Sequence, residues 1–156
     1  GLAAGVMNAD RPRRWWWLPL AIAFTVMYGL YAGRAMLVNR VRPFAILLGS
    51  FIDWSALLLF WLPTRTIAGR WIQKEQPYWV GLGLFLGTWI VAGFVHLSTG
   101  VIVYYIFDWP EGVWLGMAPL APFEHLIRCG VGAVMGGGVI AGLRAIGLVK
   151  PKWAVY

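Results

Sequence analysis

Asp53, His96, Glu124, His125 and Arg128 stand in or at the mouth of stretches otherwise built from Leu, Ile, Val, Phe, Trp, Ala and Gly. An ionisable group in such a stretch is costly unless something meets it, so each is a candidate for binding. Asp53 has the chemistry to hold a cation or an amine, and an unpaired carboxylate inside an apolar segment costs several kcal/mol, roughly, if nothing does. His96 has almost wholly apolar or small neighbours and can hydrogen-bond a ligand. Glu124, His125 and Arg128 also have structural readings. Glu124 at a helix start complements the helix dipole, with Pro122 in the same first turn. His125 can point into lipid headgroups, and Arg128 can pair with Glu124 at i,i+4 spacing.

These residues are joined by no nucleophile–base pair and no cluster with metal-ligand spacing, so catalysis is the least supported class and no metal is assigned. The single cysteine, Cys129, excludes an intramolecular disulfide and a multi-thiolate zinc site. It is expected to pack as a small apolar residue beside Gly130. No Gly-rich phosphate loop with a Lys is present, so ATP hydrolysis has to come from separate subunits.

The elements that hold these groups follow from composition. Of 156 residues, 60% are apolar and 12% charged, 11 are Trp, and the mean hydropathy is +0.70. A soluble domain carries about twice that charged fraction. The expectation is an all-α integral membrane protein, one transmembrane domain over 1–156 with a bundle of four to six helices. The formal charge of +7 sits in short clusters between apolar stretches, the distribution of the positive-inside rule rather than of a nucleic-acid-binding face.

A bilayer core of roughly 30 Å takes about 20 helical residues. Segments at 15–33, 44–62, 78–107 and 123–149 meet that length, the second interrupted by Asp53. The third, about 45 Å as one helix, is expected to break at Ser98-Thr99-Gly100. The loop carrying Arg65, Arg70 and Lys74 reads as cytoplasmic, and 108–121, with acids and prolines but no Lys or Arg, reads as the outer loop. Arg11, Arg13 and Arg14, before the Trp15–Trp17 interfacial anchor, make 1–14 a cytoplasmic tail, and Lys150 and Lys152 do the same for 150–156. Both termini are thus expected inside a cytoplasmic membrane, with the bundle at 15–149. Residues 1–6, which open on Gly rather than Met, are set aside. Arg34, Arg40 and Arg42 then fall on the outer side, against the charge rule.

Small residues spaced four apart permit close helix approach in a membrane. Gly29 and Gly33 do this on the first span, for bundle packing or for a partner. Gly132 with Gly136, Ala133 with Gly137, and Gly138 with Gly142 do it on the fourth.

The stretch 87–104, with His96, Gly100 and Tyr104, followed by Trp109-Pro-Glu-Gly112, resembles the fifth helix and next loop of the vitamin-specific S-components of energy-coupling factor transporters. The thiamine branch is closest. Asp53 with Trp54 matches its acid–aromatic pair on the preceding helix. The resemblance implies a subunit that binds a small vitamin, thiamine or a related aromatic compound, through Asp53, Trp54, His96, Gly100, Tyr104 and Trp109, with Glu124 and His125 nearby. It also implies docking through Gly29 and Gly33 on a transmembrane coupling subunit served by ATPase subunits. The family has six helices, where the N-terminal third here supplies one clear span for three. Ala118-Pro-Leu-Ala-Pro122 stands where the thiamine branch has an Asn.

In such a pocket Trp54, Tyr104 and Trp109 stack on the ligand ring, and Asp53 meets its positive charge. The same residues admit other readings. His96 and His125, from neighbouring antiparallel spans, suit bis-histidine ligation of haem b in a respiratory or photosynthetic anchor subunit. The chain can also be a structural anchor whose polar residues bind helices together.

Overall fold

The computed structural model describes residues 17–147. The chain is all-helical over them: α1 (Trp17–Leu37), α2 (Pro43–Gly49), α3 (Phe51–Trp61), α4 (Thr64–Ile72), α5 (Pro77–Phe107) and α6 (Glu111–Ala145). Helices α1, α5 and α6 are long and apolar enough to cross a membrane, and α2 with α3 makes a fourth crossing if the bent pair is one span. The two tails and the Trp15 and Trp16 part of the interfacial anchor lie outside the described residues.

Local chemistry sets most boundaries. Pro43 and Pro77 open α2 and α5, positions where the missing N–H costs nothing and φ is already helical. Asp108, in the left-handed region at φ 45°, ends α5, and Pro110 caps α6 in an extended conformation.

Several expectations are corrected. The second apolar segment is not one helix: it breaks at Ser50 with a bend of 72° between α2 and α3. The third is unbroken, because Ser98 Oγ donates back to the Phe94 carbonyl at 2.7 Å and leaves no polar group to open the helix. The outer loop shrinks from 108–121 to a short turn, and α6 runs through Pro119 and Pro122. Each proline removes one backbone bond, a loss that apolar helices tolerate. Glu124 and His125 therefore stand well inside a helix rather than at its start. The loop of Arg65, Arg70 and Lys74 is largely helical, as α4, with Ala68 and Gly69 buried.

Cross-contacts define two ends. At one, Trp17 meets Trp61 edge-on at 5.5 Å, Arg65 lies 3.8 Å above the Trp17 ring, and Arg144 donates to the Ile72 carbonyl. At the other, Arg34 forks onto Asp108 at 2.9–3.1 Å, and Arg42 binds Glu111 through its side chain and its own N–H. Thus α1, α2–α3, α5 and α6 run alternately up and down. Two of the three arginines that break the charge rule, Arg34 and Arg42, have acids from the α5–α6 turn against them.

Two larger apolar cores fill the bundle, with a smaller third at Ile72, Val80 and Ile140. Ala21, Ala56, Phe60, Ile90 and Phe94 pack toward the Trp17 end, with Phe24 stacked on Phe94 at 4.0 Å. Tyr31, Ala35, Ile46, Leu97, Tyr104 and Trp114 pack toward the Arg34 end. Glycine marks the tightest seams. A Cβ at Gly93 would collide with Ala56, and one at Gly49 with the Trp114 backbone.

Candidate functional site

The break at Ser50 places Asp53 in the first turn of α3, where backbone N–H groups lack intrahelical acceptors and the dipole favours negative charge. The side chain is fully buried. Its Oδ1 lies 2.7 Å from His96 Nδ1, on α5. A carboxylate accepting from Nδ1–H fixes the tautomer and leaves Nε2 with its lone pair. His96 stands roughly 16 Å from the Phe107 end of α5 at 1.5 Å per residue, and its side chain is 26% exposed. Asp53 Oδ2 is buried with no hydrogen-bond partner. The pair is therefore half satisfied: one oxygen is fixed and the other is held in the interior with nothing against it.

A second layer supports this pair. His125, on α6, is buried, with Nε2 3.3 Å from the Trp89 carbonyl and its ring edge-on to the Trp89 indole at 5.0 Å. Trp89 in turn donates from Nε1 to Ser55 Oγ at 3.1 Å. From α1, Tyr28 Oη lies 2.9 Å from Ser50 Oγ, tying the helix break to the first span.

The remaining residues singled out in the sequence divide. Gly100 lies one turn along α5 from His96, and a Cβ there would stand in ordinary contact with Tyr31 Oη at 3.8 Å. Tyr104 and Trp109 meet edge-on at 5.9 Å. Trp54 turns aside, donating from Nε1 to the Leu47 carbonyl at 3.0 Å and so satisfying an acceptor freed by the break. Glu124 is exposed and pairs with Arg128, the i,i+4 arrangement that its spacing suggested. Residues that sequence reasoning missed are Tyr28, Tyr31, Ser50, Trp89 and Trp114. Tyr28, Tyr31 and Ala35 recur at helical spacing on α1, a signal present but unread. Trp114 was hidden by its assignment to a loop.

The chain matches no protein-family model, no curated protein and no solved structure.

Whether haem fits is decided by the α5–α6 seam. Bis-histidine ligation needs a free nitrogen from each ring on opposite walls of a porphyrin-wide slot. Each ring keeps one such nitrogen, His96 Nε2 and His125 Nδ1, but the His125 ring lies directly against Trp89 of α5, edge-on at 5.0 Å, with no porphyrin-wide gap between them. Further along the same seam a Cβ at Gly132 would stand 3.2 Å from Thr88 Oγ1, and one at Gly136 3.1 Å from Leu84 Cδ1. Side chains, not a slot, fill the space between these helices, and the residues present do not fit a haem there.

Proposed function

We propose that the chain is a membrane-embedded binding subunit for uptake of a small vitamin-like molecule, an aromatic compound bearing an amine or a cationic nitrogen, with thiamine as the type. The observation that carries this reading is the buried Asp53 with one oxygen on His96 and the other unpartnered. Broken helices with a charged group at the break are a recurrent way for membrane carriers to expose polar groups to a substrate without exposing them to lipid. Aromatic rings from α1, α5 and α6 outward of Asp53 supply flat walls. A purely structural anchor leaves the unpaired oxygen without purpose.

The energy for uptake comes, in this reading, from separate ATPase subunits acting through a transmembrane coupling subunit. The membrane is the cytoplasmic membrane, with both termini inside and the Arg34 end outside. Gly29 and Gly33 support a partner surface: neither has any atom within 4 Å of where its Cβ would be, and both line an open groove of about 390 Å³ on the outer face of α1.

Replacement of Asp53 by Asn tests the site. Titration of the purified chain with thiamine, followed by Trp fluorescence, should show affinity weakened by about 1–3 kcal/mol, the worth of a charged hydrogen bond. The ligand-free variant should melt no lower than the parent. An unchanged thiamine affinity removes Asp53 from the site and the reading with it.

A further inference from the structure

Outward of Asp53 lies a cluster with more hydrogen-bonding capacity than packing requires. Tyr31 from α1, Tyr104 from α5 and Trp114 from α6 are each 0% exposed. Their rings lie 5.0–5.5 Å apart, and Trp109 closes one side at 6.1 Å from Trp114. Tyr31 Oη, Tyr104 Oη and Trp114 Nε1 all lack a hydrogen-bond partner. A buried Tyr or Trp ordinarily finds one. Three orphans from three different helices in one cluster are not a single packing accident.

The missing complement can be specified. Trp Nε1–H is a donor only, and a Tyr hydroxyl donates readily, so the group absent from this cluster is an acceptor. The Asp53 carboxylate, bound to His96 one helical turn from Gly100, whose Cβ position is 3.8 Å from Tyr31 Oη, repels an anionic acceptor and leaves a neutral one. The aromatic walls call for a flat molecule, and Gly100, having no side chain, leaves the α5 backbone bare beside Tyr31 Oη.

We infer that Tyr31, Tyr104 and Trp114 form the subsite that receives the acceptor edge of the ligand. The ligand class is then a neutral-edged heteroaromatic with a ring nitrogen or carbonyl on one edge and an amine or cationic nitrogen on another, the latter directed at Asp53 Oδ2. This rests on the binding function proposed above and adds the residues that choose between aromatic amines.

Two probes separate the claims: 4-amino-5-hydroxymethyl-2-methylpyrimidine, which carries ring acceptors, and benzylamine, which has none. Both are titrated by Trp fluorescence against the full chain in detergent. Tyr31→Phe and Tyr104→Phe should each weaken the pyrimidine about 3- to 10-fold, as for one neutral hydrogen bond lost, and leave benzylamine within about twofold. Asp53→Asn should weaken both. Ligand-free, the Phe variants should melt at or above the parent, because their hydroxyls have no partner to lose. An unchanged pyrimidine affinity in both Phe variants, alongside a loss in Asp53→Asn, overturns the subsite and leaves the binding function standing. A lower melting point in both Phe variants also overturns it, since the hydroxyls are then already bonded. If the pyrimidine fails to bind the parent, or binds Asp53→Asn equally well, both fall together.

Discussion

The two polar regions of the bundle are built on opposite rules. At the Arg34 end each acid of the α5–α6 turn is met by an arginine: Asp108 by the fork of Arg34, Glu111 by Arg42. These groups are exposed or partly so, and water covers whatever the partners leave open. Around Asp53 the groups are buried, yet Asp53 Oδ2, Tyr31 Oη, Tyr104 Oη and Trp114 Nε1 are unmet among the described residues. Exposed pairs of this kind contribute little to stability, whereas a buried unmet group is a standing cost. The difference teaches where selection other than for stability has acted. The exposed pairs fasten two turns together, and the buried groups are left unmet by the described part of the chain.

The sharpest way to break this contrast is to delete one partner in each region. His96→Ala leaves Asp53 with no hydrogen-bonding side chain on either oxygen, and loss of one member of a buried pair typically costs about 3–5 kcal/mol. The melting temperature in detergent should fall accordingly. Adding Asp53→Asn in the same background should recover most of the loss, since the stranded charge is then gone. If His96→Ala is no more damaging than Arg34→Ala at the exposed end, the hydrogen bond from His96 does not hold a buried charge and the contrast fails.

A smaller effect is expected at the outer turn, and its pH dependence has a definite sign. Hydrogen bonds from Asn39 and from Arg34 hold the Asp108 carboxyl below its usual range. A group whose folded-state pKa is depressed stabilises fully above its unfolded value, about 3.9 for Asp, and loses that contribution as pH falls through the folded value. Exchange of the Asp108 amide, which donates to the Tyr104 carbonyl, followed from neutral pH downward relative to its intrinsic rate, should therefore stay slow until below the ordinary carboxylate range and then rise. In Arg34→Gln the rise should begin at a higher pH. An identical profile in the two proteins would show that the fork on Asp108 does not fasten the turn.

Much of the architecture was legible because apolar helices announce themselves by length. Spans α1 and α5, the prolines that open α2 and α5, and the candidate status of Asp53 and His96 all follow from residue type and position. That these last two touch does not. Their meeting depends on the break at Ser50, which swings the first turn of α3 toward α5. Gly49-Ser50 carries no obvious signal for it, because the reason is tertiary: Gly49 lies against the Trp114 backbone, so α2 is held by α6 while α3 follows α5. Pro119 and Pro122 misled in the other direction. Local cost argued for a loop, but an apolar helix with few competing partners for its carbonyls kept its course. Reading 108–121 as a loop then concealed Trp114, and with it the aromatic cluster. The outlying arginines also resist a purely local reading. Arg34, Arg40 and Arg42 look misplaced until Asp108 and Glu111 are seen beside two of them.

The glycines sharpen the comparison from the outside of the molecule. Gly29 and Gly33 occur at the same spacing as Gly132 and Gly136, yet the second pair is pressed on Thr88 and Leu84 and the first touches nothing. Sequence spacing alone treats them alike. If the first pair serves this chain's own bundle, Leu at Gly29 or Gly33 has to damage folding or binding. If it serves a partner, the isolated protein should hardly notice, because a side chain built there points into the open groove beside Leu30, Leu37 and Tyr105. The expected result for Gly29→Leu and Gly33→Leu is a melting temperature and a thiamine affinity close to the parent's, with a stability change within about 0.5 kcal/mol, as for surface substitutions. Uptake in cells and co-purification with a coupling subunit should be lost in both. Gly132→Leu, by contrast, should lower the melting temperature directly, since a Cβ already crowds Thr88 there. Equal damage to the isolated protein at Gly33 and Gly132 would assign both stripes to the same job and remove the docking face.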